Sequence, residues 1–191
     1  MKSWCRLSRY SGKNLRMTDR IPIRYDRALR PEWIDFALGS SLGFDSHTDQ
    51  RMALRNYLEG QVTGEDARRK TVDQLMRIVG PNSQLGQERR YMYHQQMGQL
   101  SPDQRTPIRL QLLLESSAFF NDCVSTIRKF ALLSDNGMSL EQLYERMIAK
   151  YGDRSIVRRS VRNVLTTLLW LGAVENRDHR WFVKDHHLVG D

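Results

Sequence analysis

The sequence predicts a mainly α-helical protein that ends in a short β-hairpin, and three observations predict it. Proline and glycine are scarce, five and twelve among 191 residues, and both residues interrupt helices. Apolar residues recur at spacings of three, four and seven between Pro31 and Leu171, the period of one helix face. Beyond Gly172 the period drops to two, which is that of a strand.

Each element follows from local signals. Residues 1–24 lack sustained periodicity, and Pro22 between Ile21 and Ile23 permits only a short extended piece. Pro31 suits a first helical turn, with Glu32 and Asp35 near the positive dipole end. Trp33, Ile34, Ala37 and Leu38 form that helix's apolar stripe, and Gly39 through Gly43 end it. A second helix is predicted from Thr48 to Glu59, with Met52, Leu54, Tyr57 and Leu58 inward and Gly60 as the stop. The third follows Gly64, opens on Glu65 and Asp66, buries Val72, Leu75, Met76 and Val79, and ends at Gly80-Pro81. Residues 82–100 are polar and Gln-rich and read either as a weaker helix around Leu85–Met97 or as a linker. Ser101-Pro102-Asp103 and Pro107 both mark a helix start ahead of Leu110, Leu112, Leu113 and Leu114. From Ser116 to Leu133, a well-buried helix is predicted from Phe119, Phe120, Val124, Ile127, Phe130, Ala131 and Leu133.

The last third carries the most specific order of elements. After the turn Asp135-Asn136-Gly137, Ser139 and Gln142 form a capping box, in which each side chain satisfies the other's backbone amide. The helix they open buries Leu140, Leu143, Tyr144, Met147 and Ile148 and closes at Tyr151-Gly152. Asp153 is placed to cap the next helix, Arg154 to Leu171, which stops at Gly172 in the left-handed position that favours glycine. Ala173-Val174-Glu175, a turn of Asn176 to His179, and Arg180 to Lys184 then make a hairpin. Helix, helix-turn-helix and hairpin in that order define a winged helix-turn-helix. The organisation read from the sequence is a basic arm (1–24), a helical lobe (25–100) and a winged helix (105–185).

The helix from Arg154 to Leu171 divides into two faces. Val157, Val161, Val164, Leu165 and Leu168 fall on one side, and Ser155, Arg158, Arg159, Arg162 and Thr166 on the other, with Asn163 at the margin. The N-terminal half of a recognition helix enters the major groove, where Arg grips guanine edges and Ser, Thr and Asn take phosphates or adenine. Arg154 adds to this face, and Arg177 and Arg180 at the hairpin tip are candidate wing contacts. Arg68, Arg69 and Lys70 form a further basic run that is either a phosphate contact or a solvated helix surface. The winged helix itself reads either as a DNA reader or as a protein-docking module, both known uses of one fold.

Charge and composition narrow the classes. Residues 1–30 hold nine of the Lys/Arg against Asp19 and Asp26, so the net charge of +8 is concentrated at the front of the chain. Such an arm is the footprint of a polyanion partner or a solvated tail. No apolar run approaches the roughly 20 residues of a membrane span, and a reduced, cytoplasmic protein is expected, with Cys5 and Cys123 unpaired. No phosphate loop, nucleophile elbow or paired-histidine motif is present. Asp178-His179 and Asp185-His186-His187 are the sole hint of a metal site and fit a turn and a chain end better. Neither cofactor, metal nor catalytic residue is expected.

The layout resembles the BrxA family, small helical DNA-binding accessory proteins of bacterial BREX phage-restriction systems. The resemblance rests on a helical lobe bearing Trp33 and Leu38, the run Ala67-Arg68-Arg69-Lys70-Thr71 opening a helix, and the C-terminal helix-turn-helix, over residues 25–184. It implies non-enzymatic binding of double-stranded DNA beside larger protein subunits in antiviral defence. The residues alone also allow a protein–protein adaptor or a dimeric transcriptional regulator.

Overall fold

The computed structural model describes residues 22–44 and 46–184. The basic residues before Pro22, Cys5 and the His186-His187 pair lie outside them. The N-terminal lobe contains α1 (Pro31–Gly43), α2 (His47–Tyr57), α3 (Glu65–Val79), α4 (Gln87–Gly98) and α5 (Thr106–Ser116). At its centre, α1 packs against each of the other four. In its last turns the buried Ser40 and Ser41 hydroxyls find acceptors within the helix, donating back to the Ala37 and Leu38 carbonyls at 2.9 and 2.7 Å.

Ser46 caps α2 by accepting from the Thr48 and Asp49 amides at 3.2 and 3.4 Å. Gln50, Leu54 and Leu58 then form one buried row at four-residue spacing. Met52 falls off that row and is 57% exposed, which corrects its inward assignment. The Gln-rich stretch folds as α4, with Tyr93 and Met97 buried. The buried Arg90 guanidinium ties α4 down by donating to the Gly80 and Leu85 carbonyls at 2.7 and 3.3 Å. Both start signals near residue 101 are used, since a 3₁₀ turn at Pro102–Arg105 runs straight into α5.

Ser117, in extended backbone, separates α5 from α6 (Ala118–Leu133) and accepts from the Phe120 amide at 3.3 Å. Phe119, Phe120, Val124 and Ile127 are buried. The helix outruns the core in its last turn, so Ala131 and Leu133 are exposed rather than inward. After α6 come β1 (Met138–Ser139), α7 (Leu140–Tyr151), α8 (Ser155–Trp170), β2 (Val174–Arg177) and β3 (Arg180–Val183). The capping box forms, with Gln142 Oε1 accepting from the Ser139 amide at 2.9 Å and Ser139 Oγ from the Gln142 amide at 3.1 Å.

Asp153 does not cap α8. The N-cap is Arg154, one residue later, and the Asp153 carboxylate instead lies 4.0 Å from Arg158 Nε. Gly172, at φ +71°, ends α8 in a Schellman motif: the Ala173 amide donates to the Leu168 carbonyl at 2.9 Å and the Gly172 amide to Leu169 at 3.0 Å. The hairpin turn is Asp178-His179 alone, both at positive φ, a twist that matches the flanking strands and lengthens each. A third strand that the sequence pattern does not reveal, β1, pairs antiparallel with β3 through Met138–Trp181 and Ser139–Arg180. Gly137 (φ +63°) is needed beside it, since a Cβ there would come within 2.6 Å of the Phe182 ring. The resulting order β1-β3-β2 beside α6, α7 and α8 is a winged helix-turn-helix.

The lobe and the winged helix share one buried apolar cluster running from Tyr25 to Val174. Between them, α5 packs on α1, α3 and α4 on one side and on α6 on the other. Arg109, buried, grips Asp35 of α1 with two 2.7 Å hydrogen bonds, and Thr106 Oγ1 donates to the Leu171 carbonyl at 3.0 Å. The segment preceding α1 crosses to α8, where Thr167 Oγ1 accepts from Tyr25 OH at 2.9 Å and from the Leu29 amide at 3.0 Å.

Candidate nucleic-acid interface

The register of α8 about its own axis decides which residues face solvent. Val157, Val161, Val164, Leu165 and Leu168 are all buried. Burying such a side chain is worth about 1.5–3 kcal/mol, whereas burying an unpaired guanidinium is costly, so rotation of the helix is strongly opposed. Ser155, Arg159 and Arg162 are therefore exposed, and Arg154, Arg158, Asn163 and Thr166 are half-buried along the edges. The α7–α8 joint needs only Gly152 to Arg154, and Gly152 (φ +83°) makes the reversal.

Tyr144 of α7 organises the middle of this face. Its hydroxyl accepts from Arg162 Nε at 2.6 Å, and the Arg158 and Arg162 guanidiniums lie 5.1 and 5.9 Å from its ring centre. Arg158 also has loose ion pairs with Glu141 at 3.5 Å and Asp153 at 4.0 Å. Arg159 has no side-chain partner among the described residues. A mostly buried ring thus preorients two of the four arginines. Sequence reading places Tyr144 in the core and misses this role, because nothing in the pattern pairs it with residues 14 and 18 positions later.

The other candidate residues are more occupied. Arg177 is ion-paired to Glu175 and sits 5.0 Å from the Phe182 ring centre. Arg180 donates to the Asn136 and Gly137 carbonyls at 3.3 and 3.1 Å, pinning the wing to the turn before β1. Arg68 pairs with Glu59 and Glu65, Arg69 with Asp66 and Asp73, and Lys70 with Asp66. Lys70 and then Arg69 hold the Asp66 carboxyl at about 2. This basic run is neutralised on its own helix, and α3 packs on α1, α2 and α5 while α8 packs on α6, α7 and β2.

That contrast extends across the molecule. Between Pro31 and Ser116 every Lys and Arg has a carboxylate partner except Arg90, which serves carbonyls. On the winged helix, Arg128, Lys129, Arg146, Arg159 and Lys184 have no carboxylate partner among the described residues, and Arg162 has only the Tyr144 hydroxyl. Residues 117–184 carry eleven Lys/Arg against seven Asp/Glu. Among the described residues no group of three or more metal-ligating side chains exists, and His179 is exposed at the hairpin turn. Cys123 is fully buried, and burial, with Asp122 adding to it, pushes its thiol well above the usual range, the opposite of what a nucleophile needs.

Fold and surface together define a winged helix-turn-helix built onto a helical lobe, with an arginine-bearing second helix turned to solvent. Comparison with protein-family models, with curated proteins and with solved structures finds no match. No helix among the described residues is long and apolar enough to cross a membrane.

Proposed function

We propose that this chain is a non-enzymatic DNA-binding protein that lays α8 against the major groove of double-stranded DNA. The observation that carries the reading is the uneven pairing of cations: from Pro31 to Ser116 every Lys and Arg but Arg90 has a carboxylate partner, whereas on the winged helix Arg159, Arg162, Arg146, Arg128 and Lys129 have none among the described residues. Unpaired guanidiniums on a solvent-facing helix are available to phosphates and guanine edges. Arg177 and Arg180 at the wing take backbone contacts in this reading, at the cost of their present partners. Resemblance to the BrxA family extends the proposal to an accessory subunit beside larger proteins of a phage-defence system.

The test is a mobility-shift titration of the full chain at two salt concentrations. Arg159→Gln with Arg162→Gln is expected to weaken binding and to lower the log–log salt slope by about 0.9 for each phosphate no longer neutralised. Unchanged affinity at low salt would overturn the assignment of α8. A protein adaptor is the second reading, favoured by Leu132 and Leu133, which are 76% and 86% exposed at the end of α6. It predicts stoichiometric co-purification of a partner that survives nuclease and high salt.

A further inference from the structure

The segment leading into α1 is fixed to the recognition helix rather than to the lobe alone. Its two anchors converge on one atom, Thr167 Oγ1, which accepts from Tyr25 OH and the Leu29 amide while donating to the Asn163 carbonyl at 2.9 Å. The Tyr25 ring seats on Phe120 of α6, 5.2 Å between centres. One turn further along α8, the Arg30 guanidinium lies 5.0 Å from the Trp170 ring centre. Thr167 is buried on the flank of α8 next to Asn163, and Trp170, 40% exposed, lies one turn beyond it at the C-terminal end of the helix.

Two cations of this stretch, Arg24 and Arg27, have no carboxylate partner among the described residues. Arg24 is exposed and has no side-chain partner among the described residues, and Arg27 has a buried Nε with no hydrogen-bond acceptor. Asp26, the carboxylate between them, is turned away: it pairs with Arg77 at 3.2 Å, and its amide donates to Gln74 on α3 at 3.1 Å. Glu32 reaches Arg30 only loosely, at 3.9 Å. The Thr167 anchor is uncharged and buried, so it positions Arg24 and Arg27 without neutralising them. Prepositioned groups avoid the ordering cost of a free tail.

We propose that the segment from Arg24 to Arg30 is a second DNA-contacting element, continuous with α8, that grips phosphates of the duplex beside the stretch the recognition helix enters. In other helix-turn-helix architectures an N-terminal arm also contacts the duplex, by reaching into the minor groove beside the one the recognition helix occupies. The inference rests on the DNA-binding reading of α8, yet the two can fail separately.

The test compares Arg24→Gln/Arg27→Gln with Arg159→Gln/Arg162→Gln in the full chain. Anisotropy titrations of a labelled duplex over a salt series give the affinity and slope, and urea midpoints verify folding. Because Arg27 is half-buried, Arg24→Gln alone is measured as well. The segment variants are expected to keep the wild-type midpoint and base preference. The double variant should show a salt slope shallower by about 0.9–1.8, the equivalent of one to two phosphates, and Arg24→Gln up to half of that. Wild-type affinity and slope in both segment variants, with weaker binding in the α8 variant, would overturn the second element and leave α8 standing. Weaker binding in the segment variants with wild-type binding in the α8 variant would support the element and overturn the α8 assignment. Wild-type binding in all three would overturn both.

Discussion

Thr167→Val tests whether one buried hydroxyl holds the N-terminal segment to α8. Valine matches threonine in shape and keeps the packing, so the substitution isolates hydrogen bonding. In the native protein Thr167 is fully buried and accepts from Tyr25 OH and from the Leu29 amide, both groups themselves buried. Replacement leaves two donors without acceptors, and each orphaned buried group costs about 1–3 kcal/mol. The expected loss is therefore about 2–6 kcal/mol, large against a typical total stability of about 5–15 kcal/mol. Urea unfolding followed by circular dichroism measures it as a lower midpoint with unchanged slope. Tyr25→Phe in the Thr167→Val background removes one of the orphans, and the double variant should recover about 1–3 kcal/mol relative to the sum of the singles. A Thr167→Val midpoint equal to wild type, or strict additivity of the two substitutions, would refute the reasoning.

Two further outcomes follow from the same geometry. Tyr144→Phe keeps the ring beneath Arg158 and Arg162 but removes the acceptor 2.6 Å from Arg162 Nε; a missing hydrogen bond of about 0.5–1.5 kcal/mol corresponds to DNA affinity weakened about 2–10-fold, with Tyr144→Leu weaker still, and equal affinity in all three proteins would remove Tyr144 from the interface. Burial raises the Tyr25 hydroxyl above its ordinary value, and Cys123 adds to the rise. The unfolded chain therefore loses this proton near pH 10 while the fold still retains it, so stability is whole below about pH 10 and falls as pH rises beyond it. A Tyr25→Phe protein should unfold less steeply with alkali than wild type, as read by tyrosine absorbance and circular dichroism together; identical alkaline profiles would discount the tyrosine.

Helix ends were legible wherever a side chain acts on its own backbone. The Ser139–Gln142 capping box, the stop at Gly172 and the start at Pro31 depend on residues within one turn, and the chain places all three where their chemistry dictates. The inward face of α8 was equally legible, since five apolar residues at helical spacing leave one way to bury it. Expectations failed where the helix register fell one or two residues from the place a local signal suggested, as with the N-cap at Arg154 rather than Asp153 and the buried Gln50 in place of Met52 on α2. They also failed where a helix extends past the core, as at Leu133. The strand β1 has two residues and no period of its own, and exists only because β3 offers it hydrogen bonds.

By itself, the amino-acid order determined the helices, the winged-helix succession and the side of α8 that carries arginine, because each follows from near-neighbour spacing. Only the tertiary structure decided which cations stay unpaired, that Tyr144 steadies Arg158 and Arg162, and that the segment at Arg24–Arg30 is clasped to α8 through Thr167. Those outcomes depend on groups as far as 142 positions apart in the chain, and charge pairing is settled by the distances folding creates, which no local pattern encodes.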